Sequence, residues 1–361
     1  MSPAIAYGRF AGIKSRPSAA LVHLGQSAAG PASLTRTLAA IMLGVIVVLI
    51  SRDGSRVPQL DDWSLVPAVT GHVPVTAGLL WTPHNEHRIP LPFLMQIGLG
   101  RLFSYDYRAG MWTSALLLAV LAAVMMETAR KLRGRPSYAD AIFPLLILSP
   151  GQWVTFVWSF QLVFASVFFL SGLILVGIVS TAQRGSLTGT IAMGLGMLTL
   201  PLCGASGVAL VPALACWLVF WAFALRIGAE RWWRTKAAMC LGFAAAAAAL
   251  VSIYMHGLQR STVRPDSLWE ISAAACQFLT MSLGQAATTY WTCWALALLA
   301  ATVLAGVLLC QCWREHSRRL AVAGLAFYLA ALCCLALAVA WGRAGQPGAL
   351  AGLASRYVAL A

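Results

Sequence analysis

Ionisable side chains are scarce in this chain, and they are not spread evenly. Of its 11 acidic residues, Asp61, Asp62 and Glu86 stand in one stretch with His84, His87 and Arg88, within the strings QLDDWSLVPAVTG and LLWTPHNEHRIPLP. Such a set can do chemistry. A carboxylate can take a proton from a hydroxyl, a second acid or an imidazole can orient it, and a guanidinium can clamp an anion through paired hydrogen bonds. The competing reading is a solvated loop whose charges pair with one another or with lipid head groups. The two aspartates are not equivalent. If they open a helix, adjacent side chains diverge by about 100°, so one faces a site while the other caps the helix start. His84 and His87 could join a carboxylate around a divalent cation, although no zincin pattern accompanies them; otherwise they are hydrogen-bonding partners.

A second patch comprises Gln152, Trp153, Trp158 and Gln161. Indole rings flanked by amides suit a sugar, which offers an apolar face and hydroxyl edges. Tryptophan is also a common anchor at a membrane surface, and both readings stand. Arg356, in Ser355-Arg356-Tyr357, could hold a phosphate in a bidentate grip or be a snorkelling charge beside a membrane. Trp217, Trp221, Trp232 and Trp233 read as packing or interface residues.

The elements that must position these groups follow from composition. Sixty per cent of the 361 residues are hydrophobic, 10% are charged and the mean hydropathy is +0.78. Lipid is therefore the solvent for most of the chain, and a helix needs about 20 apolar residues to cross it. The pattern predicts an all-α polytopic membrane bundle of about nine spanning helices, near 37–50, 109–128, 138–149, 160–180, 190–200, 208–225, 237–254, 290–313 and 320–341. Residues 1–36 form a tail and 37–361 a single integral membrane domain. Most of the 25 basic residues fall in segments that share one side if that tail is cytoplasmic, which sets the N-terminus inside. The same distribution explains the net charge of +14 without nucleic acid. Nine cysteines with no CxxC pair indicate neither a disulfide framework nor zinc.

Residues 51–108 then form a long outward loop. Pro58, Pro67, Pro74, Pro83, Pro90 and Pro92 exclude a regular spanning helix through its first part, and 89–103 is apolar enough to lie along the outer leaflet. The segment 271–287 reads as a second interfacial helix. Two hairpins look too short to cross. Residues 138–149 would make about 18 Å of helix against a hydrocarbon core of about 30 Å, and 190–200 is interrupted by Pro201 and Cys203-Gly204-Ala205-Ser206-Gly207. Non-helical backbone at that depth must be buried or line a wet cavity, so the breaks predict an outward-facing recess. The ending GALAGLASRYVALA reads as the approach to a further apolar helix, as if the C-terminal helices were truncated.

Taken together, DDW, then HNEHRI, then GQW with WSFQ, then SRY resemble a group of bacterial multi-span proteins related to the GT-C glycosyltransferases. The resemblance covers most of the chain, and its strongest element is HNEHR preceded by DDW. It implies a bacterial inner-membrane enzyme that moves a sugar from a polyprenyl phosphate to an acceptor at the outer face of the membrane. It matches Asp61 to the essential acid of the first outward loop, with Asp62 beside it and Glu86 as partner, and gives Arg88 or Arg356 the phosphate. In that group an acid and Asn often follow QW, whereas this chain has Val154 and Thr155. A nucleotide is not expected, because no Gly-rich phosphate loop is present. The rival reading is a transporter or flippase for a lipid-linked or small polar substrate, which should place acids inside spans; here only Glu127 and Asp140 lie near spans, at the edge assigned to the cytoplasm.

Overall fold

The computed structural model describes residues 29–184, 186–226, 232–258, 265, 267–315, 318–344, 352–353 and 360. Its α-helices are α1 (Ala29–Asp53), α2 (Val66–Val69), α3 (Ala77–Trp81), α4 (Pro90–Leu102), α5 (Arg108–Arg133), α6 (Ile142–Ile147) and α7 (Trp153–Val157). They continue with α8 (Leu162–Arg184), α9 (Leu187–Thr199), α10 (Ala205–Ala224), α11 (Trp233–Met255), α12 (Leu268–Thr280), α13 (Trp291–Trp313) and α14 (Arg319–Arg343). Among the described residues eight helical stretches are long and apolar enough to cross a membrane, and the expected fifth span is a shorter apolar helix, Leu187–Cys203. The chain is thus an all-α polytopic bundle. The expected tail, apart from its last residues, lies outside the described residues, as does Arg356.

Two apolar cores hold the bundle. Ile46 and Ile50 of α1 pack with Met111, Leu118 and Leu121 of α5 and with Phe156 of α7. The larger core joins α8 to α12 and α14 around Trp217 and Trp221, whose rings lie parallel with centroids 6.0 Å apart. Helix α13 has no buried residue and is apolar on all sides, as expected of a helix bathed in lipid.

The loop 51–108 is a folded layer rather than an open strand of chain. Its prolines set where helices start: Pro67 and Pro90 occupy first-turn positions of α2 and α4, where a missing N–H costs nothing. Thr76 caps α3 by accepting from Leu79 N at 3.1 Å. Leu65, Val69, Ile89, Phe93 and Ile97 form a third apolar cluster with Phe160 and Val163, which seats the layer on the start of α8.

Both predicted breaks are present. After α6 the chain passes through 3-10 turns at Pro150–Gln152 and Ser159–Gln161; after α9 it makes the turn Leu200–Cys203 and reaches Gly204 at φ +128, a conformation that favours glycine. These breaks, the 51–108 layer and the C-terminal ends of α11 and α14 meet at one end of the bundle. The acids near spans are paired at the far end of α5, Glu127 with Arg130 and Asp140 with Arg133. At the second break a Cβ on Gly207 would overlap the carbonyl of Leu200. Gly207→Ala should therefore push the break open and lower stability by about 1–3 kcal/mol; an unchanged thermal midpoint for the detergent-solubilised variant would contradict this close approach.

Candidate functional site

His84 and His87 are joined by a tight hairpin, not by a helical turn. His84 N donates to His87 O at 2.7 Å and His87 N to His84 O at 3.0 Å, with Asn85 at φ +53 in the bend. Asparagine is among the few side chains that tolerate that region. The imidazole of His84 sits against Phe93 and Phe160, with ring centroids 5.7 and 5.0 Å away.

Arg88, one residue on, pins the hairpin. Its backbone N donates to the Tyr254 hydroxyl at 2.9 Å, Nε to Trp81 O at 3.1 Å, and Nη1 to His256 O at 3.0 Å and also to Tyr254 O. The guanidinium lies 5.6 Å from the Trp81 ring centre, and the residue is only 7% exposed. Two of these acceptors, the carbonyls of Tyr254 and His256, lie at the C-terminal end of α11, where the helix dipole favours a cation. The guanidinium proposed from sequence as an anion clamp is thus occupied by backbone carbonyls.

The two aspartates divide as their adjacency demands, on a 3-10 helix, Leu60–Leu65. Asp62 is 1% exposed and its Oδ2 accepts from Gln59 N at 3.1 Å, the capping role. Oδ1 is enclosed without a hydrogen-bond partner among the described residues. Burial pushes this carboxyl up to about 7, opposed by the Gln59 hydrogen bond and reinforced by the neighbouring charge of Asp61. Asp61 keeps its side chain 35% exposed and places Oδ1 3.7 Å from Nε2 of His84.

Asp61, His84, Glu86, His87, Trp158 and Arg343 are among the residues that line one cavity of about 380 Å³. Its apolar wall includes Val163 and Phe164 of α8 and Leu335 and Val339 of α14. Gly204, Ala205 and Ser206 complete it. These last residues open the 20-residue α10, which has no side-chain cap, and so bring the positive end of a helix dipole to the cavity lining. His87 has an enclosed Nδ1 with no hydrogen-bond partner among the described residues, and burial, followed by the charge of Arg343, holds its imidazole below the usual range.

The second sequence patch does not gather here as a unit. Trp158 lines the cavity and donates its ring N–H to Gln59 O at 3.3 Å. Gln152 is 4% exposed and spends its amide N–H groups on the carbonyls of Leu146 and Ile147, at 2.7 and 3.1 Å, closing the end of α6. Trp153 is 45% exposed and outside the lining, whereas Gln161 is fully buried behind it. The residue that sequence reasoning missed is Arg343, which ends α14. Its signal was a basic residue just past the expected span, on the side assigned to the outward loops. Among the described residues no three His, Cys, Asp or Glu side chains are grouped to hold a metal ion.

Fold and site together define a multi-pass helical membrane protein with a part-polar, part-apolar cavity at one end. Comparison of the chain with protein-family models, curated proteins and solved structures finds no match.

The Asp62 carboxyl binds a proton more tightly when folded than at its ordinary value of 3.8. Between about pH 4 and pH 7 the folded state therefore holds more protons than the unfolded state, and stability falls as pH rises through that window. The thermal midpoint should drop from pH 5 to pH 8. Asp62→Asn keeps an acceptor for Gln59 and should flatten the dependence; a variant with the same pH slope as the native chain would show that Asp62 is not its source.

Proposed function

We propose that this chain is a membrane glycosyltransferase of the GT-C kind, which moves a sugar from a polyprenyl-phosphate donor to an acceptor hydroxyl at the outer face of a bacterial cytoplasmic membrane. In this reading the N-terminus is cytoplasmic and the 51–108 layer faces outward. The observation that carries it is the distribution of charge in the cavity. Asp61 and Glu86 share the lining with Arg343 and the start of α10, so the cavity carries both signs beside an apolar wall made by spanning helices. A lipid-linked sugar phosphate has matching parts: an aliphatic chain, an anion and a polar ring.

The mechanism follows from these placements. The phosphate binds against Arg343 and the N–H groups of α10, where both charge and hydrogen bonds favour an anion. These groups also stabilise the negative charge that grows on the phosphate as the sugar departs. Trp158 offers its face to the sugar ring. Asp61 takes the proton of the acceptor hydroxyl as its oxygen attacks the anomeric carbon, with inversion there. Arg88 and Asp62 shape this lining from behind.

Asp61→Asn should lower the rate of transfer from labelled polyprenyl-phosphate sugars by about 100-fold or more and leave membrane insertion intact; transfer at the native rate would sink the assignment. Arg343→Gln should raise the donor KM about tenfold, the loss of one charged hydrogen-bonding partner. A transporter or flippase is the second reading, favoured by the broken helices at both hairpins. Uptake of a labelled substrate into vesicles without any transfer product would select it.

A further inference from the structure

We propose that His84 is the resting place of the proton that Asp61 removes from the acceptor, an inference that rests on the glycosyl-transfer reading above. Nε2 of His84 is 3.7 Å from Oδ1 of Asp61, enclosed, and without a hydrogen-bond partner among the described residues. The ring packs against one side of the Phe93–Phe160 pair, with Nε2 toward the carboxyl group of Asp61. A proton shared between the two atoms would draw them to about 2.7–3.2 Å. The present separation is longer than that, so the two atoms can close on each other when a proton arrives. Such a pair is set to receive one proton.

The step balances. The acceptor O–H bond breaks and its oxygen forms a bond to the anomeric carbon, while the bond from that carbon to the phosphate oxygen breaks and its electron pair leaves with the phosphate. The proton moves to Asp61 and on to Nε2 of His84, leaving a carboxylate beside an imidazolium. That contact then shortens to a charged hydrogen bond. Release of the proton to cavity water or to the departing phosphate restores the starting state.

The other charged and titratable groups around the ring are Glu86 and His87 on its own hairpin, Asp61 on the 3-10 helix, Arg343 on α14 and Cys203 at the second break. His87 does not compete for the proton, since burial and Arg343 disfavour its charged form. Glu86 lies on the lining without an ion pair to His84, so Asp61 is the carboxylate within ion-pair distance of Nε2. His84 reaches the reaction through Asp61 and does not itself touch the substrate; it is a positioning residue that holds the proton.

The test uses the full chain in proteoliposomes with a polyprenyl-phosphate sugar donor. His84→Gln keeps a polar side chain but cannot take up a proton, and it should lower kcat about 100-fold with the donor KM unchanged. His84→Ala should lose activity similarly and regain part of it when imidazole is added, because truncation of a cavity-lining ring leaves a space of its own size open to the cavity. Native kcat in His84→Gln alongside an inactive Asp61→Asn overturns the relay and leaves glycosyl transfer standing. Loss in both His84 variants with no recovery in imidazole assigns the residue to packing and also overturns the relay. Native transfer in Asp61→Asn removes the underlying reading itself.

Discussion

Arg88 is a buried cation with no ion pair among the described residues, and the geometry of the cavity depends on how that charge is held. Removing a guanidinium from water costs several kcal/mol unless other groups replace its hydration. Here the replacement comes from the carbonyls of Trp81, Tyr254 and His256 and from the face of the Trp81 ring. Two of those carbonyls belong to the C-terminal end of the 23-residue α11, where the negative end of the helix dipole adds to the hold. The same residue's backbone N–H is taken by the Tyr254 hydroxyl. The hairpin carrying His84 and His87 is thereby tied to a spanning helix, and the rest of the 51–108 layer is seated through Phe93 and Phe160.

Once that layer is in place, neighbouring residues of like chemistry fall into unlike surroundings. Asp62 caps its short helix from inside the protein, where burial favours the protonated acid. Asp61, one peptide away, opens onto the cavity beside His84. The opposite sign is provided by Arg343 and by the backbone start of α10. The cavity thus carries both signs of charge against walls contributed by spanning helices, and the proposed lipid-linked sugar phosphate is likewise divided into apolar, anionic and hydroxylated parts.

The spans were legible because hydropathy over about 20 residues reports directly on the membrane. The two breaks were legible for a related reason: Pro150-Gly151 and Pro201 with Gly204 interrupt apolar segments, leaving uninterrupted runs shorter than a crossing needs. The split between Asp61 and Asp62 followed from helical geometry alone. What local pattern could not show was the use of Arg88, whose partners Tyr254 and His256 lie 166 and 168 residues away in sequence. Gln152 gave no sign that its amide would serve the carbonyls ending α6, since a backbone acceptor leaves no mark in sequence. Arg343 looked like any basic residue at the end of a span, and only the packing of α14 beside α8 and α10 brings it to the cavity.

The central claim is that this cavity receives a lipid-linked phosphate. A cryo-EM structure of the chain in nanodiscs containing polyprenyl phosphate tests it directly. The account predicts phosphate density between Arg343 and residues 204–206, with the isoprenoid chain along Leu335 and Val339. Phosphate bound elsewhere on the chain, with this cavity filled only by water, would contradict it.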